Sequence, residues 1–247
     1  MILGGTAGVG IETAIQFAAA DASVAILGRN DDRGRVAREN ILEKVPAAKV
    51  VFVRVDAVDP ADAASAAIEA AGLLGGIDTL VCTTGPSHPP QLLHTIPAVE
   101  LAARIDEIVR PPLHMIHAVL PVLREQGGGA VIAVASDAAK TATPGETLIG
   151  AAMAAIVMFC RALALEEKRN GIRINLLTPS LIANTPGAAL IDSDPFAARL
   201  FEKAAAMAKL GVAEPEDLAA MVLYLASPAA RRMTGQAISI NGGISAA

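Results

Sequence analysis

Leu3-Gly4-Gly5-Thr6-Ala7-Gly8-Val9-Gly10 follows a short apolar run at Met1–Gly4 and opens a stretch of helical periodicity at Val9–Ala20. Glycines at a strand-to-helix junction permit a tight turn. They also let backbone N–H groups approach a pyrophosphate at the positive end of the helix. The spacing here, Gly4-x3-Gly8-x-Gly10, differs from the Gly-x-Gly-x2-Gly dinucleotide fingerprint, so the loop alone also suits an ordinary helix entry.

Beyond this loop the chain alternates short β-branched runs with longer Ala/Leu-rich stretches. Strands are expected at Met1–Gly4, Ser23–Leu27, Val50–Val55, Thr79–Cys82, Ala130–Ala135, Arg173–Leu177 and Ala237–Ile240. Helical periodicity is clearest at Val9–Ala20, Asp32–Glu43, Asp62–Leu73, Leu113–Arg124, Leu148–Lys168 and Pro215–Ala226. Near-continuous apolar strands alternating with helices predict a parallel sheet covered on both faces. Right-handed crossovers then give an α/β, doubly wound sheet of seven strands with a ligand crevice at the strand ends. The 247 residues suit one domain of this kind.

Composition narrows the function. The chain is 53% apolar but only 2% aromatic, so its core is built from Ala, Val, Ile and Leu. A net charge of −5 and a pI near 5.4 argue against nucleic-acid or anionic-membrane partners. The mean hydropathy of +0.49 is high. Even so, the uncharged run Thr147 to Cys160 stops at Arg161, short of the roughly 20 residues a bilayer requires. Met1 leads straight into Ile2-Leu3-Gly4-Gly5 with no basic stretch before a long apolar one, so no signal peptide is expected. Cys82 and Cys160 form no metal or redox motif, and a cytoplasmic protein with free thiols is expected.

The loop resembles the Thr-Gly-x3-Gly-x-Gly loop of the short-chain dehydrogenase/reductase family, with Leu3 in the Thr place. Other segments carry the same resemblance: Leu225-Ala226-Ser227-Pro228, Thr234-Gly235-Gln236 and Asn241-Gly242-Gly243 near the C-terminus, and Asn170-Gly171-Ile172-Arg173-Ile174-Asn175 with Thr178-Pro179. Together they span essentially residues 1–247. The resemblance implies a Rossmann-type sheet binding a nicotinamide dinucleotide. The cofactor residues it implies are Gly4, Thr6, Gly8, Val9, Gly10, Asp56 near the adenine, Gly85, Pro179, and Thr185 at the nicotinamide amide. It further implies a homodimer or homotetramer through the helices at Leu113–Arg124 and Leu148–Lys168, and a substrate lid at about 186–210.

Where an acidic residue would end the second strand and bind the ribose hydroxyls, this chain has Gly28 followed by Arg29. A guanidinium without the carboxylate favours a 2′-phosphate, which Arg grips bidentately, and NADP(H) is expected over NAD(H). Arg33 and Arg35 read first as a solvated helix face.

In family enzymes a Ser polarises the substrate carbonyl and a Tyr exchanges a proton with its oxygen. A Lys four residues after the Tyr lowers the phenol pKa, and an Asn completes a relay. Ser136 matches the Ser, but the Tyr and Lys positions hold Ile149 and Met153, and the Asn position holds Ile108. Tyr224, the only tyrosine, sits far away in an apolar helix pattern. The Asn-Asn-Ala-Gly motif is Cys82-Thr83-Thr84-Gly85, and Pro179-Ser180 replaces Pro-Gly.

Lys140 reads as a surface lysine. His88 and His94 lie in the loop after the fourth strand, with no carboxylate spaced beside either. His114 and His117 share a helix face without a third ligand, so no metal is expected. Three readings follow. One is an NADP(H) oxidoreductase with a rewired proton path, through Ser136 with His94 or water, acting on an apolar carbonyl or alkene. The others are a non-catalytic NADP(H)-binding sensor or degenerate subunit, and non-redox chemistry on the same scaffold.

Overall fold

The structure, a computed structural model, describes residues 1–246. Seven parallel strands form one sheet in the order β3-β2-β1-β4-β5-β6-β7. They are β1 (Ile2–Leu3), β2 (Val24–Gly28), β3 (Val50–Arg54), β4 (Thr79–Cys82), β5 (Gly129–Val134), β6 (Ile172–Leu177) and β7 (Ala237–Ile238). The chain leaves β3 at one edge and returns at β4 beside β1. That reversal opens the crevice where the loops after β1 and β4 meet.

Side chains alternate across the pleat and sort the core into two halves. Ala25, Leu27, Val131 and Ala133 face α3 (Pro60–Leu74), α4 (Leu101–Glu125) and α5 (Thr147–Glu167). Val24, Ile26, Ala130 and Ile132 face α1 (Gly8–Ala19), α2 (Asp31–Lys44) and, across Leu218, Val222 and Leu225, α8 (Pro215–Ala226). Two more helices, α6 (Pro186–Asp192) and α7 (Pro195–Met207), pack on each other between β6 and α8.

The helix expected at Leu113 begins at Leu101. Pro111 and Pro112 directly precede that expected start, and proline lacks the N–H of the helical ladder. Both instead lie inside α4 and are buried with Ile108, Met115 and Ile116. Burial of one long apolar face outweighs the two lost hydrogen bonds. The first strand is even shorter than expected, at Ile2–Leu3. It is central nonetheless, pairing Ile2 with Ile26 and Val81, and Leu3 with Leu27 and Cys82.

By length and composition, Thr147–Asn170 could cross a membrane. It is longer than the apolar run seen in sequence because one helix continues through Arg161. Its inward face, Ala152, Met153, Ile156, Cys160 and Ala164, packs in the core.

Candidate active site

The loop after β1 is shaped for glycine. Gly4 and Gly8 have φ of +81° and +50°, in the left-handed region. A Cβ on Gly10 would lie 2.2 Å from the Gly4 carbonyl oxygen, and one on Gly4 would lie 2.7 Å from Thr83 Oγ1. The loop therefore folds back on itself at Gly10 and leans on the end of β4. Thr83 holds that contact: its N–H and its hydroxyl both donate to the Leu3 carbonyl, at 2.9 and 3.0 Å. Beside it, the buried Thr84 hydroxyl has no hydrogen-bond partner among the described residues. A buried hydroxyl of this kind is costly unless something polar arrives to meet it. The glycine cradle, the N-terminus of α1 with Val9 in its first turn, and this unsatisfied hydroxyl together fit a dinucleotide diphosphate.

Past the end of β2, Thr6 packs where a Cβ on Gly28 would sit, 3.1 Å from its Cγ2. Arg29 follows, exposed, with no ion pair among the described residues. The Arg33 N–H donates to Asn30 Oδ1 (2.9 Å), capping α2, and its side chain lines a hollow with Thr6, Ile11 and Asn40. Arg35 pairs with Glu39 at 3.1 Å on the exposed helix face, as its sequence suggests. Asp56 Oδ1 accepts from the Val58 N–H at 3.3 Å, and the Asp56 N–H donates to Asp62 Oδ2 at 2.7 Å. A Cβ on Gly85 would meet nothing, so the path beside it is open. Thr185 stands over Gly8, its Cγ2 3.4 Å from where a Cβ would be. Its hydroxyl caps α6, accepting from the Ala188 N–H at 3.1 Å and donating to the Ile182 carbonyl at 2.9 Å.

At the other end, Ser136 closes β5 and caps a turn, its Oγ accepting from the Ala138 N–H at 3.2 Å. The next residue, Asp137, is buried. Its N–H donates to the Pro179 carbonyl at 2.7 Å, and its carboxylate accepts from Ser245 Oγ at 2.6 Å. Ile108 and Met153 are buried in the core and Ile149 packs against it, forming one apolar wall.

Lys140 is engaged at the C-terminal segment, donating to Ser239 Oγ at 2.7 Å. Burial lowers its ammonium, with Asp137 opposing and Arg161 assisting. His114 bonds through Nδ1 to the Ala57 carbonyl at 3.0 Å, while His117 is exposed, and no group of three metal-ligating side chains exists among the described residues. Both cysteines are free and buried. Burial raises both thiols, Cys160 to about 12.

The expectation that neither loop histidine has a carboxylate beside it is wrong for His88. Glu107 of α4 reaches across, its Oε1 3.0 Å from His88 Nδ1. Ser87 Oγ donates to Glu107 Oε2 at 2.8 Å and lies 3.1 Å from the same ring nitrogen. His88 and Glu107 share the lining of one pocket with Ile108, Leu148 and Ile149. His94 is exposed and joins no such group. Burial works to raise the Glu107 carboxyl, but hydrogen bonds from His88 and Ser87 outweigh it and hold Glu107 below the usual carboxylate range. Sequence spacing concealed the pair because Glu107 lies in the part of α4 that the prolines disguise.

Glu146, just ahead of α5, also escapes notice in the sequence. Burial pushes its carboxyl up to about 7, with the Asp137 charge adding and a Thr143 hydrogen bond opposing.

Residues 4–245 match the profile of a family described as enoyl-(acyl carrier protein) reductase. An uncharacterized oxidoreductase of Mycobacterium tuberculosis is 31% identical over 99% of this chain and 90% of its own length. A 3-oxoacyl-[acyl-carrier-protein] reductase of Chlamydia muridarum is 29% identical over 99% of this chain and 96% of its own. Among solved structures, a 3-ketoacyl-(acyl-carrier-protein) reductase of Brucella melitensis complexed with NADH superimposes with a TM-score of 0.87. It is 26% identical and covers 99% of this chain and 97% of its own. A glycine-cradled nucleotide loop on a seven-stranded parallel sheet, matched to oxidoreductases along nearly its whole length, places the chain in the short-chain dehydrogenase/reductase family.

Proposed function

We propose that this protein binds NADP(H) in preference to NAD(H) and reduces an apolar carbonyl or enone by a proton path that does not run through a phenol. One observation carries the reading. The nucleotide half of the crevice is built in detail, whereas the helix face opposite presents Ile149 and Met153 at the positions where the family places Tyr and Lys. Gly4, Thr6, Gly8, Val9 and Gly10 would hold the diphosphate, Asp56 and Gly85 the adenosine path, and Pro179 and Thr185 the nicotinamide end. Bound there, the cofactor supplies a hydride equivalent. Ser136 keeps its hydroxyl proton for a carbonyl oxygen, since among the described residues its Oγ is used only as an acceptor. The apolar wall excludes water from the back of the pocket and selects against charged substrates.

The NADP(H) preference rests on Arg29. With no carboxylate at position 28 and no ion-pair partner among the described residues, its guanidinium is available to a 2′-phosphate. Fluorescence titration is expected to show NADPH binding about tenfold or more tighter than NADH, and Arg29→Ala to erase the difference. Equal affinities in the parent protein would overturn the preference. Oxidation of NADPH is then followed with small apolar ketones and enones. Tight binding without turnover would instead favour a nucleotide-binding sensor or degenerate subunit. Turnover without an absorbance change would favour non-redox chemistry.

The same reading takes residues 1–247 as one cytoplasmic domain, with α6 and α7 as a lid over the pocket. Phe196 of α7 supports the lid, since its ring lies against Gly145, a pocket-lining residue. The reading also includes a homodimer or homotetramer through α4 and α5, supported by Met158 and Leu165, apolar and exposed on α5.

A further inference from the structure

We infer that His88, oriented by Glu107 and Ser87, is the proton donor and acceptor of this site, in place of the missing phenol. The inference rests on the reductase reading above and names the group that reading leaves open.

Hydrogen-bond bookkeeping fixes the ring. Glu107 is held ionised and is therefore an acceptor only. The single Ser87 hydroxyl proton is committed to Glu107 Oε2. His88 Nδ1, within 3.0 Å of Glu107 Oε1 and 3.1 Å of Ser87 Oγ, faces two acceptors and must carry the hydrogen itself. Neutral His88 is thus the Nδ1–H tautomer. Its Nε2 has no hydrogen-bond partner among the described residues and is left to take up or release a proton. A carboxylate that sets the tautomer and steadies the charged ring is the arrangement a histidine general acid–base requires.

Placement supports the role. The pocket that His88 and Glu107 line also touches Ile149, the residue standing where a phenol would be. Among the described residues no other charged group pairs with the ring: Arg104, the one further charged side chain of these that lines the pocket, is committed to Glu100 at 2.7 Å and to Gln91 Oε1 at 2.8 Å. From α5 come only Leu148 and Ile149, and from the loop ahead of it Gly145. Ile108 closes the inner side, so protons reach the site from the mouth of the pocket, where His88 is partly exposed.

The step balances. A bound reduced nicotinamide would supply the hydride, its own C–H bond breaking and the ring being oxidised as a C–H bond formed at the carbonyl carbon and the C=O π pair moved to oxygen. The Nε2–H bond of the imidazolium breaks, and its proton passes to that oxygen. Solvent then reprotonates Nε2.

The test compares the parent with His88→Asn on cyclohexanone and cyclohexenone, using NADPH. Turnover in His88→Asn is expected to fall about 100-fold or more, with NADPH affinity unchanged. Installing Ile149→Tyr with Met153→Lys should restore turnover to His88→Asn. Independently of activity, ring 15N shifts should report the Nδ1–H tautomer for neutral His88. The Ser87→Ala/Glu107→Leu double variant should revert to the Nε2–H form that is usual in solution. No turnover in the parent overturns the reductase reading, and this inference with it. Turnover that survives His88→Asn overturns the inference alone. So does a parallel loss of cofactor affinity, or an Nε2–H tautomer in the parent.

Discussion

A few side chains differ sharply in how far the sequence disclosed them. Gly4, Gly8 and Gly10 announce the nucleotide loop because their requirement is local: a backbone conformation and a contact that only glycine permits. Ser136, Ile149 and Met153 were likewise legible, through their place between family-like flanks. Glu107 and Glu146 were not, because what matters about them comes from distant chain. Glu107 acquires His88 as a partner only when the loop after β4 folds over α4. Glu146 acquires its raised carboxyl only through burial near Asp137. A carboxyl raised in the folded state binds its proton more tightly than in the unfolded chain. Its contribution to stability is therefore fully present below pH 4.5 and is lost as pH rises towards about 7. From the size of the shift, that loss is on the order of 3 kcal/mol. In urea denaturation Glu146→Gln is expected to gain stability over the parent at pH 8 relative to pH 5; equal differences at the two pH values would contradict the raised carboxyl.

Among the elements, α4 is where sequence and structure part most. Strands β2 to β6 fall within a residue or two of their expected positions, since β-branched runs bounded by turns are unambiguous. In α4, however, local propensity and tertiary burial point in opposite directions. Its three prolines, Pro111, Pro112 and Pro121, argue against a helix that its apolar face demands. Burial wins at Pro111 and Pro112. Pro121 is exposed and repays nothing, while it denies the His117 carbonyl its helical partner. Pro121→Ala should therefore raise stability by about 1–2 kcal/mol. That is less than the full helix penalty of roughly 3 kcal/mol, because proline also restricts the unfolded chain. Thermal and urea melts would show it; an unchanged or lowered midpoint would mean that the ring packs usefully where it stands. At its C-terminal end α4 is tied to α5 by Arg124, whose guanidinium bonds both oxygens of the buried Glu167 carboxylate. These hydrogen bonds hold the Glu167 carboxyl below its usual range.

At the scale of the whole molecule, the two core halves close the sheet on both faces, yet the outer face of α5 remains apolar, with Met158 and Leu165 more than 60% exposed. Isolated apolar side chains on a surface need no explanation, but two on one helix face suit a two-fold interface. Sedimentation of Met158→Glu/Leu165→Glu is expected to give monomers where the parent gives dimers or tetramers. A parent that sediments as a monomer would overturn the proposed assembly. The sheet order has a further consequence, for how the site comes into being. The nucleotide loop takes its shape from Thr83, which grips the Leu3 carbonyl, and β1 stays half-paired until β4 docks against it. Contacts between such distant parts of a chain form late, because a long loop must close first. The glycine loop is thus an early piece of sequence but a late piece of structure. Competence to bind a nucleotide arrives with the closing of the sheet, and is not held in reserve by the first βαβ unit alone.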